Sequence, residues 1–272
     1  MLTSDSLTST PLPRSTYHRR IVAIPEDGRV RAALEDESHH IEITVFHANN
    51  VITDIQTKVH RLPWTTCPGA AAKLKELVGL SLRRMHESTG RDAKENCTHM
   101  FDLARVAIAR GCIGKPVQYD MELPDRVEKR TRAKLYRDGE LALWWDAEGS
   151  FVTGPEPFTG HTVRGAPKWP EGLDDDTLEA ALVLRRVFLV ASTREPGVPD
   201  IARMRSGPEV SIAQITKREV VLGRCFSFQA PHVDEGKMAY TWRNSADRQE
   251  DLLSGFPGTR SLAEMKRAKA AR

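Results

Sequence analysis

The strongest constraint on the fold is a pair of alternating segments separated by a short polar turn. Ile41–Phe46 and Val51–Val59 alternate apolar and polar side chains on either side of Ala48-Asn49-Asn50. Alternation with a period of two is typical of strands that bury one face, and asparagine favours the tight turn of a hairpin. These residues therefore predict a β-hairpin whose two faces differ in polarity.

The register of this hairpin follows from its faces, because a shift of one residue exchanges them. A two-residue turn would place Val45 opposite Asp54 and mix the faces, whereas a three-residue turn places Val45 opposite Thr53 and Ile43 opposite Ile55. In the second register the apolar face carries Ile41, Ile43, Val45, Val51, Ile55 and Val59. The opposite face carries His40, Glu42, Thr44, Asp54, Gln56 and Lys58. This polar surface is either a solvated face or a set of functional groups.

Shorter apolar runs predict further antiparallel strands. They are Arg20–Ile24, Val30–Leu34, Val117–Leu123, Arg132–Tyr136 and Glu140–Trp145. Asp27-Gly28 and Asp138-Gly139 lie between neighbouring runs, and Asp-Gly is common in two-residue hairpin turns. Trp144 and Trp145 would point to opposite faces of the sheet. Either one of them lines a groove or an interface, or one packs in the core and the other lies at its rim.

Two segments have helical spacing. The first follows Thr66 and Pro68, and its apolar stripe predicts a helix over about residues 70–86. The second begins with Asn96 as its cap, runs over about residues 97–110 and ends at Gly111. Each helix would bury its apolar stripe against the sheet.

Composition is that of an ordinary globular protein, with 40% of the 272 residues apolar, 28% charged and a net charge of +3. No apolar run reaches the length of a membrane-spanning helix, and no basic stripe with interleaved aromatic residues points to a nucleic-acid partner. The four cysteines are not spaced as C-x-x-C, and Met1–Pro13 does not resemble a signal peptide. We therefore expect a cytoplasmic protein with reduced thiols.

Together these patterns predict an α+β fold in which antiparallel β-hairpins pack against two central helices, with a C-terminal α+β extension. Residues 1–18 are expected to be disordered and residues 19–150 to form the core domain. Residues 151–272 would complete the same domain or an interface of a homo-oligomer. Within them, the Gly- and Pro-rich segment 151–171 is expected to be a long loop or lid that carries His161.

The most chemically loaded turn lies at the start of the second helix, where Cys97, His99 and Asp102 follow one another closely. A helix N-terminus carries partial positive charge and favours a thiolate or another anion. Three roles remain open for these residues. The first is a helix cap with a small buried thiol. The second is an acid/base pair in which Asp102 orients His99, and the third is a metal site completed by Cys67.

Several common catalytic motifs are absent from the sequence. It contains no G-x-G-x-x-G, no G-x-x-x-x-G-K-[ST], no G-x-S-x-G and no H-E-x-x-H. These patterns form dinucleotide sites, phosphate loops, nucleophilic serine elbows and zinc-protease helices respectively. The corresponding classes of enzyme are therefore disfavoured.

Six short motifs nevertheless follow one another in a definite order: Pro25-Glu26-Asp27-Gly28, His39-His40, Val51-Ile52-Thr53-Asp54, Pro63-x-x-x-Cys67-Pro68, Leu77-Val78-Gly79-Leu80 and Asn96-Cys97-Thr98-His99-Met100-Phe101-Asp102-Leu103. Over about residues 19–146 the chain resembles a bacterial family of domains of unknown function, number 2889, whose members carry a C-T-H-L-x-E-L helix start. Cys97, Thr98 and His99 match that helix start directly. Met100 and Asp102 replace its Leu and Glu.

The resemblance implies an enzyme of aromatic-compound catabolism, a cofactor-independent lyase that releases formaldehyde from the hydroxymethyl arm of a lignin-derived dimer. Such a reaction needs proton transfers and an aromatic-lined pocket, but neither a metal nor another cofactor. His99, oriented by Asp102, would be one acid/base group. His40 or Asp54 would be the other. The residues expected to bind the aromatic substrate are Trp64, Tyr136, Trp144, Trp145 and His161.

Two other functions remain open at this point. Cys67, Cys97 and His99 could form a metal or iron–sulfur binding module, although their spacing does not supply a full set of ligands. A non-catalytic protein that binds a small molecule is the other alternative.

Overall fold

Eight strands form one antiparallel sheet in the computed structural model, which describes residues 16–87, 95–164, 168–191, 211–212, 222–239, 243 and 251–270. The strands are β1 Thr16–Glu26, β2 Arg29–Glu35, β3 His40–Ala48, β4 Val51–Arg61, β5 Val117–Pro124, β6 Arg130–Arg137, β7 Glu140–Glu148 and β8 Phe151–Gly154. Their order across the sheet is β4-β3-β2-β1-β5-β6-β7-β8. Two four-stranded meanders therefore join where β1 pairs with β5.

Helices pack against this sheet and link its two halves. The α-helices are α1 Thr98–Ile113, α2 Asp175–Ala191, α3 His232–Glu235 and α4 Leu262–Ala270, and 3₁₀ helices lie at Cys67–Leu77, Met85–Glu87 and Phe226–Phe228. Helix α1 connects the meanders and packs on β1, β2 and β3, whereas α2 packs on β5, β6 and β7. Glu179 of α2 accepts hydrogen bonds from Arg110 of α1 and Tyr119 of β5. The predicted α+β class is confirmed.

The segment predicted as a helix over about 70–86 is a 3₁₀ helix that ends at Leu77. Beyond it Val78 is extended and Gly79 has a φ of +86°, which only glycine adopts easily. The Gly79 N–H donates to the Ile52 carbonyl of β4, and the Ile52 N–H donates to the Leu80 carbonyl. Of the apolar residues after Leu77, Leu82 and Met85 are buried without lying on a continuous helix, whereas Val78 is exposed.

The β3–β4 hairpin turns over two residues instead of the three predicted. Ala48 pairs with Val51, and the intervening Asn49 and Asn50 have φ values of 50° and 63°. Two consecutive residues with positive φ form the type I′ turn, whose twist matches that of the flanking strands. Asparagine tolerates this backbone better than most residues, which explains the short turn.

A β-bulge beside this turn keeps the apolar side chains on one face. Thr53 is an extra residue in β4, so Val45 pairs with Ile55 and not with Thr53 as predicted. The bulge exchanges the two faces of β4 between the turn and the remainder of the strand. As a result Ile52 is buried, whereas Val51, predicted to be buried, is exposed.

Helix α1 begins at the predicted position but ends later. Its N-cap is Cys97 and not the predicted Asn96, and its C-cap is Gly114, in the left-handed conformation with a φ of 71°. Gly111 lies inside the helix, where a Cβ atom would be 3.1 Å from Val30 Cγ2 of β2. Gly111 therefore permits close packing of the helix on the sheet and does not end the helix.

Both faces of the central strand β1 are covered. Ile21 belongs to the core beneath the helices, whereas Val22 packs with Leu253 on the opposite face. On that opposite face Arg20 pairs with Asp120 of β5 at 2.6 Å, and its Nη1 donates to the carbonyl of Leu252 at 2.7 Å. The described residues near the C-terminus therefore cover the centre of the second face.

Some expectations reach beyond the described residues. Thr16–His18 belong to β1, so the predicted disorder is wrong for them, and residues 1–15 lie outside the described part of the chain. The predicted loop of residues 151–171 begins with the strand Phe151–Gly154, and its residues 165–167 are not described. No helix among the described residues is both long and apolar enough to cross a membrane.

The packing of the sheet predicts a contrast between two strand leucines. Leu34 of β2 is completely buried, whereas Leu141 of β7 is 51% exposed. Leu34→Ala is expected to lower the free energy of unfolding by about 2–5 kcal/mol, because it leaves a cavity in the core. Leu141→Ala, the control, should change it by less than about 0.5 kcal/mol. Urea denaturation followed by circular dichroism measures both, and equal losses would contradict the assigned faces.

Candidate functional site

A cluster of charged side chains lies buried between the sheet and the start of helix α1. Arg19 comes from β1, Asp36 and His39 from the turn between β2 and β3, and His99 from the first turn of α1. We call these four residues the Arg19 cluster. It forms because the odd-numbered residues of β1 face the helices, and because the β2–β3 turn lies near the N-terminus of α1.

Asp36 is the anion of the Arg19 cluster. Its Oδ2 accepts a hydrogen bond from the Tyr17 hydroxyl at 2.7 Å and lies 3.4 Å from Arg19 Nη1, and its Oδ1 accepts from the N–H groups of Ser38 and His39. Burial by itself would raise the pKa of this carboxyl. The charge and hydrogen bond of His39, together with the charge of Arg19, outweigh burial and hold the pKa of Asp36 well below its usual value.

The rings of His39 and His99 stack with their centroids 3.7 Å apart and an interplanar angle of 25°. His39 Nδ1 lies 2.9 Å from Asp36 Oδ1, so the carboxylate orients this ring. Burial, and then the charges of His39 and Arg19, lower the pKa of His99 well below its ordinary value. His99 is therefore a neutral imidazole at neutral pH, held beside a histidine that is hydrogen-bonded to a carboxylate.

Two groups of the cluster have unused hydrogen-bonding capacity. His99 Nε2 is inaccessible to solvent and has no hydrogen-bond partner among the described residues. Arg19 is 1% exposed, and its three side-chain nitrogens likewise have no hydrogen-bond partner among them. Buried polar groups are nearly always paired, so unpaired ones require an explanation. A guanidinium with unused donors beside a neutral imidazole is suited to a bound oxyanion and a proton transfer.

Asp102, which the sequence placed beside His99, has other partners in the structure. It forms ion pairs with Arg186 of α2 and with Arg105 one turn further along α1. The carboxylate that meets the histidine pair is Asp36. The spacing along the helix therefore predicted the wrong carboxylate for His99. The turn between β2 and β3 supplies Asp36 instead, and Arg186 of α2 supplies the cation that pairs with Asp102.

The thiols near His99 are neutral, contrary to the expectation of a thiolate at the helix start. Burial raises the pKa of Cys67 and of Cys97, and it raises the pKa of Cys225 to about 12. For Cys97 the nearby backbone N–H groups oppose this effect without overcoming it. Cys97 Sγ lies 3.9 Å from His99 Nδ1. The ligand atoms of Cys67, Cys97 and His99 are not all within 4.8 Å of one another.

The other two predicted acid/base residues lie away from the Arg19 cluster. His40 begins β3 and alternates with the buried residue Ile41, so it lies on the opposite face of the sheet, stacked on His60 at 4.3 Å. Asp54 is exposed on β4 and forms an ion pair with Lys75. The structure therefore does not bring His40 or Asp54 together with His99.

The predicted aromatic residues are distributed over several places. Trp145 is buried among Phe158, Trp169 and Phe188, whereas Trp144 points the other way and lies beneath the Arg132 guanidinium at 4.6 Å. Tyr136 is half-buried on β6. His161 Nδ1 lies 3.0 Å from the carbonyl of Phe158. Of the two alternatives for the tryptophans, the structure shows the second, in which Trp145 packs in the core and Trp144 lies at the rim.

Trp64 is connected to the start of α1 through the segment Phe226–Phe228. It is buried, and its ring meets that of Phe228 at 6.3 Å with an edge-on geometry. The Phe226 N–H donates to the carbonyl of Asn96, and the Ser227 hydroxyl donates to Cys67 Sγ at 3.2 Å. The segment Phe226–Phe228 therefore joins Trp64 to the start of α1.

The sequence interpretation missed Arg19, Asp36 and Arg186, and it used His39 only as part of a family motif. One signal was available: Arg19-Arg20 lies inside a strand whose neighbours are apolar, and a buried arginine requires a carboxylate. Asp36 precedes His39 by three residues in the turn between two strands. Which carboxylate meets which arginine depends on strand pairing, which the sequence pattern did not reveal.

Comparisons with known proteins gave one match. Residues 20–110 match a family model described as a protein of unknown function, DUF2889. No curated protein and no solved structure matches the chain. The matched segment contains Asp36, His39 and His99 and ends just before the close of α1, so the predicted resemblance is confirmed for most of the first meander and the helix.

The buried ion pair predicts a stability effect that depends on pH. Asp36→Asn leaves Arg19 buried without a counter-charge and is expected to lower the free energy of unfolding at pH 7 by about 3–5 kcal/mol. The folded pKa of Asp36 is depressed, so its stabilising contribution is present above about pH 4 and is lost as the pH falls further. The difference between wild type and variant should therefore shrink in acid.

Urea denaturation at pH 7 and at pH 3 measures this difference. Asp54→Asn is the matched control, because the exposed pair of Asp54 with Lys75 should contribute little at either pH. An Asp36→Asn variant as stable as the wild type at pH 7 would contradict the role assigned to the carboxylate.

Proposed function

We propose that the Arg19 cluster is the acid/base site of a cofactor-independent lyase acting on a phenolic aromatic compound, and the match of residues 20–110 to the DUF2889 family model is one support for this. The other is the neutral His99, whose buried Nε2 has no hydrogen-bond partner among the described residues, together with the Arg19 guanidinium, which lies 3.4 Å from Asp36 but donates no hydrogen bond among them. The resemblance suggests the lignin-derived substrate and the release of formaldehyde. The geometry contributes the groups that could carry out the proton transfers.

The proposed reaction needs two proton transfers and no redox change. Loss of the phenolic proton and of a benzylic hydroxyl, which leaves as water, gives a quinone methide. Removal of the proton from the hydroxymethyl oxygen then breaks the adjacent C–C bond and releases formaldehyde. The electron pair of that bond forms a new C=C bond, and the ring regains its aromatic phenolate. A positioned base and a group that stabilises the phenolate are therefore the main requirements.

The cluster can meet both requirements with its own side chains. Arg19 would donate hydrogen bonds to the phenolate oxygen and balance its charge in a site with little water. His99, neutral because of burial and adjacent cations, would accept a proton at Nε2. Asp36 would hold His39 in place, and His39 would lie within reach of the proton that returns to a leaving group.

Aromatic side chains near the start of α1 support an aromatic substrate. The Phe226 N–H donates to the carbonyl of Asn96, and the ring of Phe228 meets that of Trp64 edge-on, so these rings lie near the start of α1. Offset or edge-on contacts with such rings stabilise a bound aromatic group by about 0.5–1.5 kcal/mol each. Four other residues were predicted to bind the substrate. Trp144 and Tyr136 lie on the other face of the sheet, Trp145 is buried beside Phe158, and His161 contacts the carbonyl of Phe158, so none of the four has a part in this proposal.

The metal or iron–sulfur alternative at Cys67, Cys97 and His99 has less support. Metal binding requires thiolates, and burial raises the pKa of both thiols.

A non-catalytic protein that binds an aromatic anion would use the same Arg19 donors. Measuring turnover of the bound compound distinguishes this alternative from the lyase. The four cysteines are all free, which supports a cytoplasmic location. Self-association through the C-terminal segment stays a prediction.

The lyase proposal predicts formaldehyde release from a phenolic dimer that bears a benzylic hydroxyl and a hydroxymethyl arm. With EDTA present, full-length protein should release one formaldehyde and one alkene per substrate consumed. His99→Gln should lower kcat about 10²–10⁴-fold, because it removes the general base. His86→Gln is the control, since His86 lies at the surface near Asp175. Formaldehyde is measured by derivatisation and the alkene by its ultraviolet absorbance.

The result has a clear meaning in either direction. No formaldehyde from the wild-type protein would overturn the lyase proposal. Equal turnover by His99→Gln and His86→Gln would remove His99 from the reaction. Binding of the dimer without turnover, lost in Arg19→Gln, would support the non-catalytic alternative.

The lowered pKa of His99 predicts the acid side of the pH profile. A base works in its unprotonated form, and the pKa of an ordinary histidine is about 6.5. Because burial and neighbouring cations lower the pKa of His99, kcat/KM should stay constant as the pH falls through 6.5 and should decline only well below it. Initial rates from pH 4.5 to pH 8 test this. A decline centred at or above pH 6.5 would contradict a buried neutral His99 as the base.

A further inference from the structure

A second group of histidines lies on the face of the sheet opposite the Arg19 cluster. His40 and Glu42 are alternate residues of β3, and His60 lies beside them near the end of β4. The ligand-type atoms of these three side chains all lie within 4.8 Å of one another. Among the described residues they form the only such group of three histidine, cysteine, aspartate or glutamate side chains.

The three side chains already converge on one another. His60 Nε2 lies 2.7 Å from Glu42 Oε1, and the rings of His40 and His60 stack with centroids 4.3 Å apart. Metal–ligand bonds of about 2.0–2.2 Å place the donor atoms of a tetrahedral site roughly 3.5 Å apart. Small side-chain rotations would therefore bring the present arrangement to that of a three-ligand site.

A β-bulge places His60 in this group. His40 pairs with Arg61 and Ile41 pairs with Val59, so His60 is an extra residue between two regular pairs. Bulges redirect side chains and are common next to functional sites. The side chains of His40, Glu42 and His60 are 25%, 31% and 30% exposed, so a hydrated ion can reach them from solvent.

The carboxylate of Glu35, at the end of β2, lies beside the ring of His40. Glu35 Oε1 lies 3.9 Å from His40 Nδ1, and Arg61 and Arg243 hold Glu35 in place. A carboxylate that receives the second ring N–H of a ligating histidine commonly fixes its tautomer.

We propose that His40, Glu42 and His60 bind a divalent transition-metal ion of the Zn²⁺ class, with a coordination position left for water. Two imidazoles and one carboxylate are the protein ligands of well-known catalytic zinc and iron sites. The alternative to a metal site is that His60 and Glu42 only form a hydrogen bond at the surface. That pair does not explain why the ring of His40 stacks on that of His60, or the bulge that brings His60 beside it. The site is separate from the Arg19 cluster, so it does not depend on the proposed lyase reaction.

Metal titration of the full-length, metal-stripped protein tests this proposal. Co²⁺ should bind with one-to-one stoichiometry and give visible ligand-field absorption, and Zn²⁺ should displace it. Losing a partner that orients a ligand typically lowers metal affinity about 10–100-fold, so losing a ligand in His60→Gln or Glu42→Gln should lower it by about 100-fold or more. His47→Gln is the matched control, a half-exposed histidine of the same strand. Circular dichroism of each variant verifies the fold.

Each outcome either supports or overturns the site. One-to-one binding that is weakened in both ligand variants and retained in His47→Gln supports it. Failure of the wild type to bind Co²⁺ at micromolar concentration overturns it. So does binding that survives Glu42→Gln and His60→Gln together, and so does binding lost only in Cys97→Ser, which would assign the metal to the thiols.

Discussion

The buried carboxylate of Asp36 constrains the helix-covered side of the sheet. A charge in such a place is costly unless it is paired and hydrogen-bonded. Its partners come from three elements: Tyr17 and Arg19 from β1, His39 from the β2–β3 turn, and, through the stacked ring of His39, His99 from α1. The position of helix α1 on the first meander is therefore coupled to one ionised group. The same group balances the charge of Arg19 and orients the His39 ring that stacks on His99.

Strand β1 shows how the sheet separates two environments. Arg19 and Arg20 are adjacent in sequence, point to opposite faces and are both buried. Arg19 meets Asp36 beneath the helices, and Arg20 meets Asp120 beneath the described C-terminal residues. Successive side chains of a strand must alternate, so two arginines in a doubly covered strand require a carboxylate on each side. This arrangement keeps the helix-face chemistry of His99 apart from the His40 group.

The role proposed for each face of the sheet follows from which hydrogen bonds and ion pairs its cluster of side chains already makes. In the Arg19 cluster the carboxylate of Asp36 is paired and hydrogen-bonded, whereas the nitrogens of Arg19 and Nε2 of His99 have no hydrogen-bond partner among the described residues. The cluster is therefore suited to an anionic ligand and to proton transfer. The His40, Glu42 and His60 group brings two imidazoles and a carboxylate within 4.8 Å of one another, a set of ligand atoms that suits a cation.

The sequence alone determined strands β1 to β7, helix α1 and the α+β class, because alternation, helical periodicity and turn residues are local properties. It also identified Cys97-Thr98-His99 as a chemically distinctive helix start, and the resemblance carried by these residues is matched by a family model over residues 20–110. Two local features it missed, the Thr53 bulge and the 3₁₀ helix that ends at Leu77, depend on pairing with the neighbouring strand. Only the tertiary structure decided that Asp36 and not Asp102 faces the histidines, and that His40 lies on the opposite face of the sheet. A local pattern shows which face of an element is buried, but the neutralisation of a buried charge depends on which distant segments become neighbours.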